Sequence, residues 1–375
     1  LQNETHSRRL GHAGSRWSEH WRKYDKLMDR LVVLNDTYPS LSSTYEIGRS
    51  YQDRRLTVLK IAAPGPPRPA IWLQAVVHAR EWLGLGALFW VMDEILQGHA
   101  AGDAAAVSLL DRVELHALLI ANPDGYVTTR GDNSDYFDDC PDGVGGAPDS
   151  TASGPYRLWR KDMAPNAGSD CVGTNLGRNF GGGGSAFGGV AGPETWHVEG
   201  TAPVDDPCDH EYGGPSAASQ VEVAAIETHL LTTSKWNGGA VDWLAFFDLH
   251  TYGLYWLAPA GYTEAPVANQ ADQLAAAEVA AAALQSVHGT EFTVGAAAET
   301  LYRVSGTAAD WAHAVARVPY AYALEMRDTG SYEFMAPRTE IRPSGEEFYA
   351  ALQALAAHIV PDDDGGGPSA TDGDA

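Results

Sequence analysis

The 375-residue sequence predicts a single α/β domain: a twisted, mixed and mostly parallel sheet with helices on both faces. Three observations lead there. Apolar runs of strand length alternate along the chain with longer segments of helical periodicity, the pattern of a sheet covered on both sides. No linker rich in Pro, Gly or Ser divides the middle of the chain into two cores. Hydrophobic residues make up 44%, enough for a large interior, while 40 Gly and 21 Pro supply ordered turns.

The elements follow in order. Residues 17–34 repeat apolar positions at helical spacing (Trp21, Tyr24, Leu27, Met28, Leu31) and predict a first helix. The segments 56–61 and 71–77 are short and mainly apolar, and read as buried strands. Residues 83–96 return to the helical period, and 113–121 form another strand pattern. Further on, 221–231 read as helix, 244–249 as strand, 265–287 as an alanine-rich helix, 320–326 as strand and 346–359 as a closing helix. Two stretches stand outside this alternation. Residues 131–154 hold six Asp and no Lys or Arg, and predict an acidic loop inserted in the fold. There Asp132, Asp135, Asp138 and Asp139 offer the hard oxygens that calcium takes, but their spacing departs from an EF-hand loop, so a solvated loop is the simpler expectation. The tail 361–375 is Asp, Gly and Ser, a composition that predicts disorder. The expected organisation is thus an N-terminal remnant at 1–16, one functional domain at 17–360 and the tail.

Charge and cysteines bound the function. Forty-nine acidic against 25 basic side chains give a net charge of −24, which argues against a nucleic-acid partner because counterion release needs clustered Lys and Arg. No apolar run approaches the roughly 18 residues that a membrane helix requires. Residues 1–16 are polar, so an export signal would have been removed already or never present. Cys140, Cys171 and Cys208 allow at most one intrachain disulfide. The triplets Asn3-Glu4-Thr5 and Asn35-Asp36-Thr37 would carry glycans only in a secretory pathway.

In an open α/β sheet, chemistry sits at the carboxyl ends of strands. Three strand patterns here end in suitable groups. Val76-Val77-His78 is followed by Glu81 where a helix begins, Phe247-Asp248-Leu249-His250 ends a second, and Ala323-Leu324-Glu325 a third. Two imidazoles and a carboxylate make a three-ligand zinc site with an open position. A further carboxylate beside it can take a proton from water. The His-x-x-Glu spacing is not specific in itself, because His288-Gly289-Thr290-Glu291 repeats it at the end of the alanine-rich helix, where it would serve as a cap.

Six motifs then occur in order: His78-Ala79-Arg80-Glu81-Trp82, Asn122-Pro123-Asp124-Gly125, Arg157-Leu158-Trp159-Arg160-Lys161, Arg178-Asn179-Phe180, His250-Thr251-Tyr252 and Glu325-Met326-Arg327-Asp328-Thr329-Gly330. Together, over residues 17–359, they resemble the zinc metallocarboxypeptidases of the carboxypeptidase A and B type. The resemblance implies a zinc carboxypeptidase-like fold and an exopeptidase that releases the last residue of polypeptides. It implies one zinc per chain on His78, Glu81 and His250, with Glu325 as general base toward water and then proton donor to the leaving amine. Arg160 would stabilise the oxyanion, and Arg178 would grip the terminal carboxylate with Tyr302 closing over it. Arg80, Thr251 and Tyr252 would line the path of the preceding residues. It further implies a disulfide between Cys171 and Cys208, a secreted monomer, and an N-terminal prodomain already removed; Cys140 has no evident partner.

Two positions depart from the family pattern. Asn175 stands where an Asp normally orients the first zinc histidine, and Gly177 where an Asn normally helps hold the substrate carboxylate. The expectation is weaker zinc retention and a higher Michaelis constant, both improved by Asn175→Asp or Gly177→Asn. By analogy the pocket for the terminal side chain is walled by Gly261, Ala297, Val304, Ala309 and Ala323, with Glu299 close in sequence. No acid stands among these walls, so large apolar or aromatic ends are the expected preference. Arg80, Arg160 and Arg178 should make the site positive within an acidic surface. The two departures also motivate a non-catalytic module that binds peptide C-termini, and a third alternative is a zinc hydrolase of non-peptide acyl amides.

Overall fold

The computed structural model describes residues 17–130, 157–181, 195–201 and 204–361. The N-terminal segment 1–16, the acidic loop 131–154 with its calcium option, Cys140, and the tail beyond 361 lie outside the described residues. Eight strands form one sheet: β1 (Ser42–Arg49), β2 (Arg55–Ile61), β3 (Ala70–Ala75), β4 (Glu114–Leu118), β5 (Trp243–Thr251), β6 (Tyr255–Ala258), β7 (Thr293–Ala296) and β8 (Tyr320–Met326). Their spatial order is β1-β2-β4-β3-β5-β8-β6-β7. The central pairings β4–β3, β3–β5 and β5–β8 are parallel, as is β6–β7, while the others are antiparallel. This is the expected mixed sheet with a parallel centre.

Burial explains why the central strands were readable. All six residues of β3 are buried, so the strand reads as an apolar run interrupted only by Gln74. On one face the sheet packs against helices Tyr24–Thr37, Trp82–Ala101, Gln270–His288 and Ile341–Ile359. Helices Val221–Thr233 and Ala308–Ala314 cover the other. The closing helix starts at Ile341, before the first expected residue, because Pro343 is tolerated in a first turn. The alanine-rich helix starts only at Gln270, after Pro266, with Asn269 at its N-cap.

Four differences have local causes. The first expected helix is split into a 3-10 turn, Trp17–Glu19, and helix Tyr24–Thr37. Arg22 folds back to donate to the Trp17 carbonyl (3.1 and 3.0 Å) and lies 4.5 Å over its ring, a side-chain bond that competes with the helix. Strand β1 is an edge strand with mostly half-exposed residues, so it carries no apolar run. Strands β6 and β7 are too short for periodicity to register. Helices Ala104–Arg112 and Pro123–Arg130 were not among the expected elements; each starts from a polar cap, Asp103 accepting from Ala105 and Ala106 and Asn122 from Gly125 at 2.9 Å. As expected, His288 ends the alanine-rich helix, with Gly289 left-handed at its C-cap and Glu346 2.7 Å away.

Candidate metal centre and active site

Each expected ligand stands at a strand end. After β3 the chain turns at Val76, which takes a left-handed φ of 56° that a β-branched residue rarely adopts. Asn122 N–H, donating to the Val76 carbonyl at 3.0 Å, holds that turn. It delivers His78, and Glu81 stands at the N-cap position of helix Trp82–Ala101 with its side chain turned toward the histidines. Gly84 lets this helix run close to β5: a Cβ there would stand 3.0 Å from the Leu249 carbonyl oxygen. Strand β5 carries His250, and the parallel register sets Glu325 of β8 directly beside it.

The three groups converge. Glu81 Oε1 lies 2.8 Å from His78 Nδ1, Glu81 Oε2 2.9 Å from His250 Nδ1, and the two ring nitrogens are 3.1 Å apart. All three residues are buried, and their ligand atoms lie within 4.8 Å of one another. Burial opposes ionisation of Glu81, yet the two imidazoles outweigh it and hold the carboxyl well below its usual range. Burial and the Arg160 charge push His78 down to about 4. Burial would lower His250 too, but Asp248 and Glu81 raise it well above its ordinary value. The buried Oε2 of Glu325 has no hydrogen-bond partner among the described residues. Burial, with Glu81 and Asp248 nearby, pushes Glu325 up to about 8 against the pull of His250 and Arg160. Two imidazoles and a carboxylate, with a further carboxyl beside them, are a donor set that fits zinc.

A cavity of about 410 Å³ opens over these groups. Arg80, Arg160, Gly177, Arg178, Thr251, Tyr252, Tyr302 and Ala309 all line it, so one space unites the substrate-side residues expected from the sequence. Arg178 Nη1 donates to the Gly177 carbonyl at 2.9 Å, and its Nη2 reaches the Tyr302 hydroxyl at 3.4 Å. Tyr302 is 55% exposed, at the mouth. Phe334 braces the wall: the Arg80 guanidinium lies 4.1 Å over its ring, and Tyr252 meets it edge-on at 5.1 Å. Cys171 and Cys208 are disulfide-bonded.

Several expectations need correction. Ala297, Val304, Ala309 and Ala323 line the cavity, but Gly261 and Glu299 are not among its lining residues. An acid does stand there: Asp310, whose two oxygens face the Gly261 N–H at 2.9 and 3.1 Å and whose carboxyl burial pushes up to about 6. The pocket is not simply positive either. Glu211 pairs with Arg160 at 3.2 Å and with Arg178 at 2.8 Å, so it neutralises part of the guanidinium charge. Gly177 has no room for a side chain, because a Cβ would stand 2.6 Å from His78 Nε2. Asn175 does accept from His78 Nε2 at 3.0 Å, and its amide donates to the His210 carbonyl at 3.2 Å with Glu211 Oε2 3.4 Å away. An Asp at 175 would turn an oxygen toward both acceptors. Glu211, Phe334, Asp248 and Asp310 escaped the sequence reading. Only Asp248 carried a usable signal, since it precedes His250 by two positions on the same strand face.

A family model described as zinc carboxypeptidase matches residues 27–351. The chain belongs to the zinc carboxypeptidase family. By kinship it is a metallocarboxypeptidase, a hydrolase. It is 34% identical over 325 residues to carboxypeptidase A4 of Mus musculus, covering 86% of this chain and 66% of that protein. To carboxypeptidase A1 of Homo sapiens it is 30% identical over 336 residues, covering 90% and 69%. The chain thus spans about two thirds of the length of these relatives. Bovine thrombin-activatable fibrinolysis inhibitor, solved in complex with tick carboxypeptidase inhibitor, superposes with TM-score 0.75 at 25% identity over 92% of this chain and 99% of that one. Carboxypeptidase A of Helicoverpa armigera shares the fold, with TM-score 0.74 at 23% identity, covering 96% and 81%. Among the described residues, no helix is long and apolar enough to cross a membrane.

Proposed function

We propose that this zinc carboxypeptidase hydrolyses the C-terminal peptide bond of polypeptides, holds one zinc on His78, Glu81 and His250, and prefers large apolar or aromatic C-terminal residues. The observation that carries the reading is the shared cavity, with the His–Glu–His cluster and Glu325 on one wall and Arg178 on another. Bound zinc would supply Lewis acidity toward a water and the scissile carbonyl. The chain's own residues do the rest. Arg178 receives the substrate's terminal carboxylate through its guanidinium fork while Tyr302 closes over it. Arg160 donates to the oxyanion that develops on the carbonyl, in a site dry enough for that charge to count. Glu325 Oε2, free of other partners, takes a proton from the attacking water and passes it to the leaving amine. Its raised pKa suits a group that must both accept and return a proton. Arg80, Thr251 and Tyr252 guide the residues ahead of the scissile bond.

The terminal side chain would lie against Leu257, Ala297, Val304, Ala309 and Ala323. Burying a large apolar group there is worth roughly 1.5–3 kcal/mol. In this reading Asp310 serves as a buried acceptor for the backbone, with the Gly261 N–H between its two oxygens, and not as a partner for a lysine end. The catalytic unit spans 17–360 in this reading and is secreted and monomeric.

The test is zinc per chain, followed by release of the last residue from a peptide and from its C-terminal amide. Zinc-dependent cleavage of the free acid alone supports the exopeptidase. Binding without cleavage supports the non-catalytic module instead, and cleavage of the amide supports a wider acyl-amide hydrolase. Among ends, Phe and Leu should leave faster than Lys; the reverse order defeats the specificity proposed.

A further inference from the structure

We propose that Asp248 is the positioning residue that fixes His250 for metal binding, and that it does so because it alone can accept from two donors at once. The proposal rests on the metal-site reading above.

The residues form a buried line running from strand β3 to strand β5. Trp72 Nε1 donates to Gln74 Oε1 at 3.0 Å, Gln74 Nε2 donates to Asp248 Oδ1 at 3.2 Å, and Asp248 Oδ2 lies 2.9 Å from His250 Nε2. Sheet register holds the line, since Gln74 and Asp248 are partners across the parallel β3–β5 pair. Trp72 and Gln74 are 0% exposed and Asp248 2%, so the line is buried along its length.

The direction of the line is set at its far end. An indole N–H only donates, so Gln74 must turn its carbonyl oxygen to Trp72 and its NH2 to position 248. At the near end, His250 turns Nδ1 toward Glu81 and the metal space, so its proton must sit on Nε2, which also faces 248. Position 248 therefore stands between two donors. Aspartate accepts both. Asparagine would keep its oxygen on Gln74 and turn its NH2 to His250. That would draw the ring proton onto Nδ1 and block the lone pair a metal needs.

The first ligand histidine is held differently, for a matching reason. Asn175 stands between the His78 Nε2 donor and the His210 carbonyl acceptor, so an amide fits there. The carboxylate expected behind His78 is thus present behind His250 instead.

The experiment is a zinc dissociation constant from chelator competition, with circular dichroism of the metal-free proteins as the check on folding. Asp248→Asn should weaken zinc by about 10- to 100-fold without changing the fold. Gln74→Glu alone sets two carboxylates face to face and should also weaken it. The double variant, Gln74→Glu with Asp248→Asn, restores the polarity: the new carboxylate at position 74 accepts from Trp72 and from the asparagine NH2, which frees the asparagine oxygen for His250. It should recover most of the loss, a rescue that a merely structural role for Asp248 does not predict. The proposal is overturned if Asp248→Asn binds within threefold of the parent, or if the folded double variant binds no tighter than the single. Should the single variant not fold, the double variant decides: binding within thirtyfold of the parent upholds the proposal, and weaker binding overturns it. A parent chain that binds no zinc would instead refute the metal-site reading itself.

Discussion

Replacing Gly177 by alanine tests how tightly the metal centre is packed from behind. An added Cβ would stand 2.6 Å from His78 Nε2, 3.2 Å from its Cε1 and 3.4 Å from Asn175 Oδ1. Ordinary contact begins near about 3.5 Å, so the ring edge must retreat by roughly 1 Å. The ring cannot do this freely. Its Nδ1 is tied to Glu81 at 2.8 Å and its Nε2 to Asn175 at 3.0 Å, and the residue is only 4% exposed. Retreat breaks the hydrogen bond to Asn175, and losing such an outer partner weakens metal binding by about 10- to 100-fold, or roughly 1.4–2.7 kcal/mol. Gly177→Asn carries the same Cβ and should be no better, which reverses the improvement expected from sequence comparison. Zinc dissociation constants from chelator competition, read beside kcat/KM on a peptide ending in Phe, check this. If either variant binds zinc within threefold of the parent, or Gly177→Asn binds more tightly, the steric argument is wrong and Gly177 is merely a lost carboxylate-binding side chain.

Glu325→Gln keeps the shape of the site but removes the proton acceptor, so kcat should fall by about 10²- to 10⁴-fold while zinc content and substrate KM change little; an unchanged kcat excludes Glu325 as the base. The Cys171–Cys208 bond closes a loop with a sequence separation of 37. Replacing both cysteines by serine should therefore lower unfolding free energy by roughly 4 kcal/mol, measured by urea titration. His229 gives a pH dependence. It faces Tyr45 Oη at 3.2 Å, and burial, with His116 nearby, pushes its pKa down to about 4. Between about pH 6.5 and 4 the unfolded chain binds this proton and the folded one does not. Stability is therefore full above pH 6.5, falls as pH drops through that window and levels off below it, by at most roughly 3 kcal/mol from this group. His229→Gln should lose less stability over that range in denaturant titrations; equal losses count against the assignment.

Much of the site was legible because its chemistry is local. His78, His250 and Glu325 each stand at the end of a mainly apolar strand segment, and Glu81 follows His78 at the start of a helix; β3, buried along its whole length, is the plainest case. The motif residues Arg160 and Arg178, with Tyr302 expected from the family resemblance, could be assembled from order along the chain, and all of them line one cavity. Edge strand β1 and the short β6 and β7 left no comparable trace, because partial exposure or brevity erases periodicity.

The sequence by itself determined the kind of fold, the polar groups that end its central strands, and the family. It did so because side-chain chemistry and strand burial are properties of residue type and short-range spacing. The tertiary structure alone decided which polar group faces which. The parallel register brings Gln74 to Asp248, and so decides the proton position on His250. The disulfide-linked segment brings Glu211 between Arg160 and Arg178, turning an expected positive pocket into a partly neutralised one. The close approach of His78 likewise explains why Gly177 must remain without a side chain. Hydrogen-bond direction, ion pairing and contact distance are relations between segments far apart in the chain. They take definite values only when the sheet has set those segments side by side.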